Sequence, residues 1–68
     1  MDKIRVAIVT ILATPKQTGD GTFLVVRADG PKHSILSKYA DGKFSVGDNA
    51  ILWDNIGTST YYRSITKE

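Results

Sequence analysis

Cysteine is absent from this 68-residue chain, and histidine and tryptophan occur once each. Without thiols, neither disulfides nor Cys-based metal sites reinforce the fold, and thiol redox chemistry is excluded. The lone histidine, His33, has no second His, no Cys and no acidic residue inside a predicted strand to complete a catalytic or metal site. It is expected as an exposed strand residue beside a turn. Charge of one sign is also scarce: nine Lys and Arg stand against seven Asp and Glu, a net +2, with no run of like charge. A dedicated nucleic-acid binder usually carries a denser basic patch.

Other absences narrow the reading further. No apolar stretch approaches the roughly 18 residues of a membrane span. Met1-Asp2-Lys3, followed by an interrupted apolar segment, does not resemble a signal peptide. The chain as given is therefore expected to be soluble and cytoplasmic; it is equally consistent with a piece cut from a larger protein. No internal repeat or low-complexity segment occurs. No G-x-S-x-G elbow surrounds Ser34, Ser37 or Ser64, and one distant His makes no triad. These serines read as outward polar positions. Gly19-Asp20-Gly21 lacks the phosphate-loop spacing and precedes a strand rather than a helix. Neither an enzymatic activity nor a cofactor is expected.

What is present is organised around residues 41–55, DGKFSVGDNAILWDN. Asp41-Gly42 is a turn dipeptide, since Gly tolerates positive φ and Asp bonds its own local backbone. Phe44 and Val46 alternate, so an extended segment would place both on one face. Gly47-Asp48-Asn49 turns again. Ala50 to Trp53 then reads as a strand apolar on both faces, hence central or crossing a barrel. Asp54-Asn55-Ile56-Gly57 is expected to turn the chain once more.

In chain order, Lys3 to Ala13 is rich in Ile, Val and Thr and reads as a long, curved, bulged strand that pairs with different neighbours at its two ends. Thr14 to Gly21 reads as a loop. Thr22 to Ala28 is a second strand, with Leu24, Val26 and Ala28 the better core face. Asp29-Gly30-Pro31-Lys32 turns into a third strand, His33 to Ser37, completing a hairpin. Lys38 to Gly42 connects onward with room for one helical turn. Thr58 to Ile65 is the last strand and Thr66-Lys67-Glu68 a polar tail. Asp20, Asp29, Asp41, Asp48 and Asp54 all fall in predicted turns, as expected of carboxylates serving turn chemistry and solubility.

One domain over residues 1–68 follows, all-β, a small five-stranded barrel. A closed sheet suits a chain this short, because closure removes exposed edges. The OB-like Greek-key order is preferred over an SH3-like barrel, because the first strand is long and the third-to-fourth connection is the least hairpin-like. The helix usual at that point of an OB barrel would be reduced to a turn.

Between Val26 and Ile65, Arg27, Asp29, Gly30, Ser34, Ser37, Gly42, Phe44, Gly47, Asp48, Ala50 and Ile51 form a pattern of strands and glycine turns. That pattern resembles the soluble C-terminal domain of NfeD-like proteins, the partners of stomatin and flotillin family proteins. The family's membrane segments are not in this chain. The resemblance implies a helix-poor OB barrel, no catalytic residues, and a protein-interaction or assembly module attached to a membrane.

Two functions are therefore weighed. The first is a module that presents a patch of Tyr, Trp or Phe to another protein, of stomatin or flotillin type, or to itself. Tyr61 and Tyr62 are adjacent and must point to opposite sides of a regular strand, so one faces outward; Trp53 is the other aromatic candidate. The second is a single-stranded nucleic-acid binder, with Phe23, Arg27, Tyr61 and Arg63 forming a stacking and cationic face. The competing use of the rings is core filling, which so small a domain needs. A small inhibitor that acts by binding another protein belongs to the first class physically.

Overall fold

The computed structural model describes residues 2–68; the part of the N-terminal reading that rests on Met1 lies outside the described residues. The protein is all-β, a single strongly curled six-stranded sheet in the order β3-β2-β1-β5-β6-β4. Its strands are β1 (Asp2–Ala13), β2 (Thr22–Arg27), β3 (Lys32–Leu36), β4 (Ala40–Asp41), β5 (Asn49–Ile56) and β6 (Tyr61–Lys67). A four-residue helix, α1 (Pro15–Thr18), follows β1, and a single 3-10 turn, Ser37–Tyr39, follows β3.

β1 is the spine. Its β-branched run pairs antiparallel with β5 over Asp2 to Thr10 and with β2 over Val9 to Ala13. Register shifts between Arg5 and Ala7, and between Ile11 and Ala13, bend it at two places. Each shift adds local twist, and together they let one strand serve both halves of the curled sheet. The expected long, bent first strand with two neighbours is what forms.

β2 and β3 make the expected hairpin, closed by Arg27 N–H donating to Pro31 O at 2.8 Å. β5 lies between β1 and β6, the central position its apolar sequence calls for. The sixth strand is β4, which pattern reading missed. It is two residues long, too short to show a period, and pairs parallel with Ile65 and Thr66 of β6. The chain thus leaves β3, turns once through Ser37–Tyr39, and lands against the last strand. The two sheet edges are so joined by a single turn, which is what curls the sheet towards closure.

The core is Val9, Ile11, Phe23, Val25, Ile35, Phe44, Ala50, Leu52 and Ile65. Burying each large apolar side chain stabilises the fold by roughly 1.5–3 kcal/mol. In β2 the core face is Phe23 and Val25, not the expected Leu24, Val26 and Ala28. Both faces of β2 are apolar, and the pairing of Phe23 with Ile35 decides between them by placing the bulkiest ring inside. Three further expectations are corrected. Residues 44–46 are not extended in parallel: Phe44 is buried whereas Val46 is 52% exposed. Thr14 to Gly21 contains α1, whose first turn is held by Thr14 N–H donating to Gln17 Oε1 at 2.9 Å. Finally, β5 does not turn at Asp54 but continues to Ile56, and the chain turns at Gly57, whose N–H donates to Thr60 O at 2.8 Å.

The Gly47-Asp48 turn extends the sheet beside β1. Gly47 N–H donates to Ile11 O at 2.8 Å, and Ile11 N–H donates to Asp48 O at 2.9 Å. This requires φ +93° at residue 47, a conformation glycine alone adopts readily.

Candidate functional site

The inward alternation of the strands runs out of apolar residues at one end of the sheet. Leu52 and Ile65 are fully buried; two residues on, the same faces carry Asp54 and Arg63, which are directly paired across β5 and β6. On the hairpin, Val25 is buried and its partner is His33, with Arg27 two residues beyond. Inside faces of four strands therefore converge there on charged or polar groups.

Arg63 holds this end together. Its Nε donates to Asp54 Oδ1 and to the Tyr61 hydroxyl oxygen, each at 3.0 Å, and the Tyr61 hydroxyl donates to Asp54 Oδ1 at 2.9 Å. Its Nη1 donates to His33 Nδ1 at 2.7 Å, which links β6 to β3 across the seam of the curled sheet. A guanidinium has only donors, so Nδ1 is the lone-pair nitrogen and the proton of the neutral ring sits on Nε2. Burial, then the charges of Arg63 and Arg27, lower the pKa of His33. The ring is thus kept neutral in the tautomer that Arg63 requires. Arg27 Nη2 pairs with Asp29 Oδ2 at 3.1 Å, while Arg27 Nε and His33 Nε2 are buried without a protein partner. A second stitch lies nearby: Tyr39, on the turn after β3, stacks on Tyr62 of β6 with ring centroids 4.4 Å apart.

Beyond this polar cluster the three strands β1, β5 and β6 project together. Ile4 is opposite Asp54, and Tyr61 is opposite Ile56, so all share the face of the cluster. Ile4, Ile56 and Tyr61 are 50%, 41% and 57% exposed. This is an apolar margin around a charged centre.

Of the residues singled out from sequence, Arg27, Tyr61 and Arg63 come to this end, with both arginines flanking His33. Phe23 does not. It lies four residues from Arg27 along β2, about 13 Å away at strand rise, and is buried against Phe44 in an edge-to-face pair with centroids 5.7 Å apart. Trp53 lies on the opposite face of β5 from Asp54. Its Nε1 donates to Thr66 Oγ1 at 2.8 Å, and Lys3 Nζ sits 4.6 Å from the ring centroid. Two residues were missed. By residue type Asp54 belongs to a turn and His33 to an exposed strand position; the structure places Asp54 inside β5 and bonds His33 to Arg63. The signal that would have found Asp54 is the alternation Ala50, Leu52, Asp54, which continues the strand through the presumed turn.

At the other end a cleft of about 600 Å³ opens between α1 and the 42–45 segment, lined by Lys16, Phe23, Lys43, Phe44 and Ser45 among others. Its floor is the Phe23–Phe44 pair, which belongs to the core.

The fold and site together define a small all-β domain with a charged, apolar-rimmed sheet end. No family model, curated protein or solved structure matches the chain. Among the described residues, no helix is long and apolar enough to cross a membrane.

Proposed function

We propose that this chain is a non-enzymatic protein-interaction module of OB-like architecture, and that it meets its partner through the projecting end of β1, β5 and β6. The observation that carries this reading is the exposure of Ile4, Ile56 and Tyr61 side by side around Arg63 and Asp54. Clustered exposed apolar side chains mark contact sites more often than scattered ones do. Tyr and Arg are also the residue types enriched at interface centres. The strand order supports the OB-like assignment, since the first strand pairs with the second and with the long fourth-position strand β5, and the segment after β3 pairs parallel with the last strand. An SH3-like order would instead continue the meander from the third strand to the next.

The resemblance to NfeD-like domains makes a stomatin- or flotillin-type protein, or a second copy of the domain, the partner of choice. The nucleic-acid reading has less support. Arg27 and Arg63 are each already paired with a carboxylate, and Phe23 offers no free ring face. The test is a pair of amide-shift titrations at physiological salt, one with the soluble domain of a stomatin-type protein and one with a short mixed-sequence oligonucleotide. Shifts at Ile4, Ile56 and Tyr61 with the protein are expected. Salt-resistant shifts at Arg27 and Arg63 with the oligonucleotide, and none with the protein, would replace this reading by the other.

A further inference from the structure

β1 has an open side. Residues 2–10 pair with β5 on one edge, but β2 takes the other edge only from Val9 onward. Among the described residues no strand pairs with the second edge of residues 2–8. Asp2 to Arg5 are exposed and Val6 to Ile8 half-buried. An unpaired strand edge carries backbone donors and acceptors ready for another strand.

The side chains along this edge indicate what kind of strand it takes. Lys3 and Arg5 alternate onto one face, together with Trp53, which is directly opposite Arg5. The Trp53 ring beneath Lys3 Nζ holds that ammonium on this face. Ile4 is on the other face, continuous with the apolar margin of Ile56 and Tyr61. A second copy fits this edge poorly. Antiparallel pairings centred on Lys3, Ile4 or Arg5 set Lys3 against Lys3, Lys3 against Arg5, or Arg5 against Arg5, and like charges directly opposite destabilise a sheet.

We infer that the free edge of β1 accepts an extended segment of a different protein by strand addition, one with acidic side chains two residues apart opposite Lys3 and Arg5 and an apolar residue between them facing Ile4. The backbone supplies affinity, and the alternating side chains supply selection. This rests on the interaction-module reading and specifies the partner's chemistry. The same two cations that keep copies of the chain apart choose the partner.

The probe is a synthetic eight-residue peptide alternating Glu and Val, with a Lys/Val peptide as its charge-reversed counterpart. Amide exchange and shifts are recorded on the whole domain. The expected result is slowed exchange at the residue 2–8 amides that point away from β5. Affinity should fall about tenfold in the Lys3→Glu, Arg5→Glu double variant, and the Lys/Val peptide should bind that variant in place of the Glu/Val one. Both substitutions are at exposed positions, so folding is preserved and is checked by the unchanged core shifts. Shifts at Ile56 and Tyr61 without protection of residues 2–8 would overturn strand addition while leaving the interaction surface standing. Protection that rises with protein concentration and needs no peptide would overturn it in favour of a second copy. The absence of any response to the acidic peptide would overturn it too, and the stomatin-type titration then judges the interaction reading separately.

Discussion

Replacing Arg63 by Met tests whether the seam between β3 and β6 depends on one side chain. Methionine keeps most of the volume and removes every donor. Three contacts are lost, to Asp54, Tyr61 and His33. The Asp54 ion pair is partly solvated, with the Arg63 and Asp54 side chains 34% and 22% exposed, so screening limits it to about 1 kcal/mol. The bond from a charged donor to His33 contributes about 1.5 kcal/mol. Packing of the thioether returns about 0.5 kcal/mol. The net loss is about 2 kcal/mol, a large share of the roughly 3–10 kcal/mol expected for a domain of this size. With a urea slope of about 1 kcal/mol per molar, the unfolding midpoint falls by about 2 M. The pH dependence adds a second readout. Burial, then Arg63 and Arg27, hold folded His33 below the ordinary 6.5. As pH falls through 6.5 the unfolded imidazole takes up a proton first, so wild-type stability is full above that pH and declines below it, down to the folded value. Without Arg63 one cause of the shift is gone, and the decline is shallower. Equal pH slopes in the two proteins, or a midpoint change below about 0.5 M, would refute the assignment of seam closure to Arg63.

Leu52→Ala, at a fully buried centre of β5, is expected to destabilise by about 3 kcal/mol, measured by thermal melting as a fall of some 12–24 °C at about 4–8 °C per kcal/mol. Gly47→Ala keeps open space around its new methyl but forces φ +93° on an alanine; a loss of about 1 kcal/mol is expected, with faster exchange of the Ile11 amide as the local sign. Asn55→Ala removes the Nδ2 donor that bonds Ser64 Oγ at 2.8 Å and the Tyr62 carbonyl at 3.3 Å from a 5% exposed site. About 2 kcal/mol is expected, read by urea denaturation, with Tyr62 and Ser64 showing the largest shifts.

The parts of the fold that were legible in the sequence are those where one period dominates. β1 was read from its β-branched run, the β2–β3 hairpin from Asp29-Gly30-Pro31, and the central place of β5 from an apolar set on both faces. What failed did so for specific physical reasons. β2 is apolar on both sides, so alternation alone could not choose, and the partner Ile35 did. β4 is set by where the Ser37–Tyr39 turn aims the chain rather than by its own residues. Asp54 and Asn55 resemble a turn by type, yet Arg63 and Ser64 on β6 satisfy them inside a strand. The candidate site was half visible for the same reason. Tyr61 and Arg63 declare themselves by alternation, whereas His33 and Asp54 acquire meaning only through residues 30 and nine positions away.

The double pairing of β1 also sets the order in which the molecule is able to assemble. On one side β1 meets β2 after a short detour, but on the other Asp2 pairs with Ile56 and Lys3 with Asn55. On the ribosome β1 must wait until residues 49–56 have emerged before its longer partner exists. Non-local antiparallel pairings of this kind place small β domains among slow folders, in the range of about milliseconds to seconds. During that interval KIRVAIVTILA is an apolar strand with neither edge secured at its N-terminal half. Lys3 and Arg5 are the residues that stand between that nascent segment and a neighbouring copy of it.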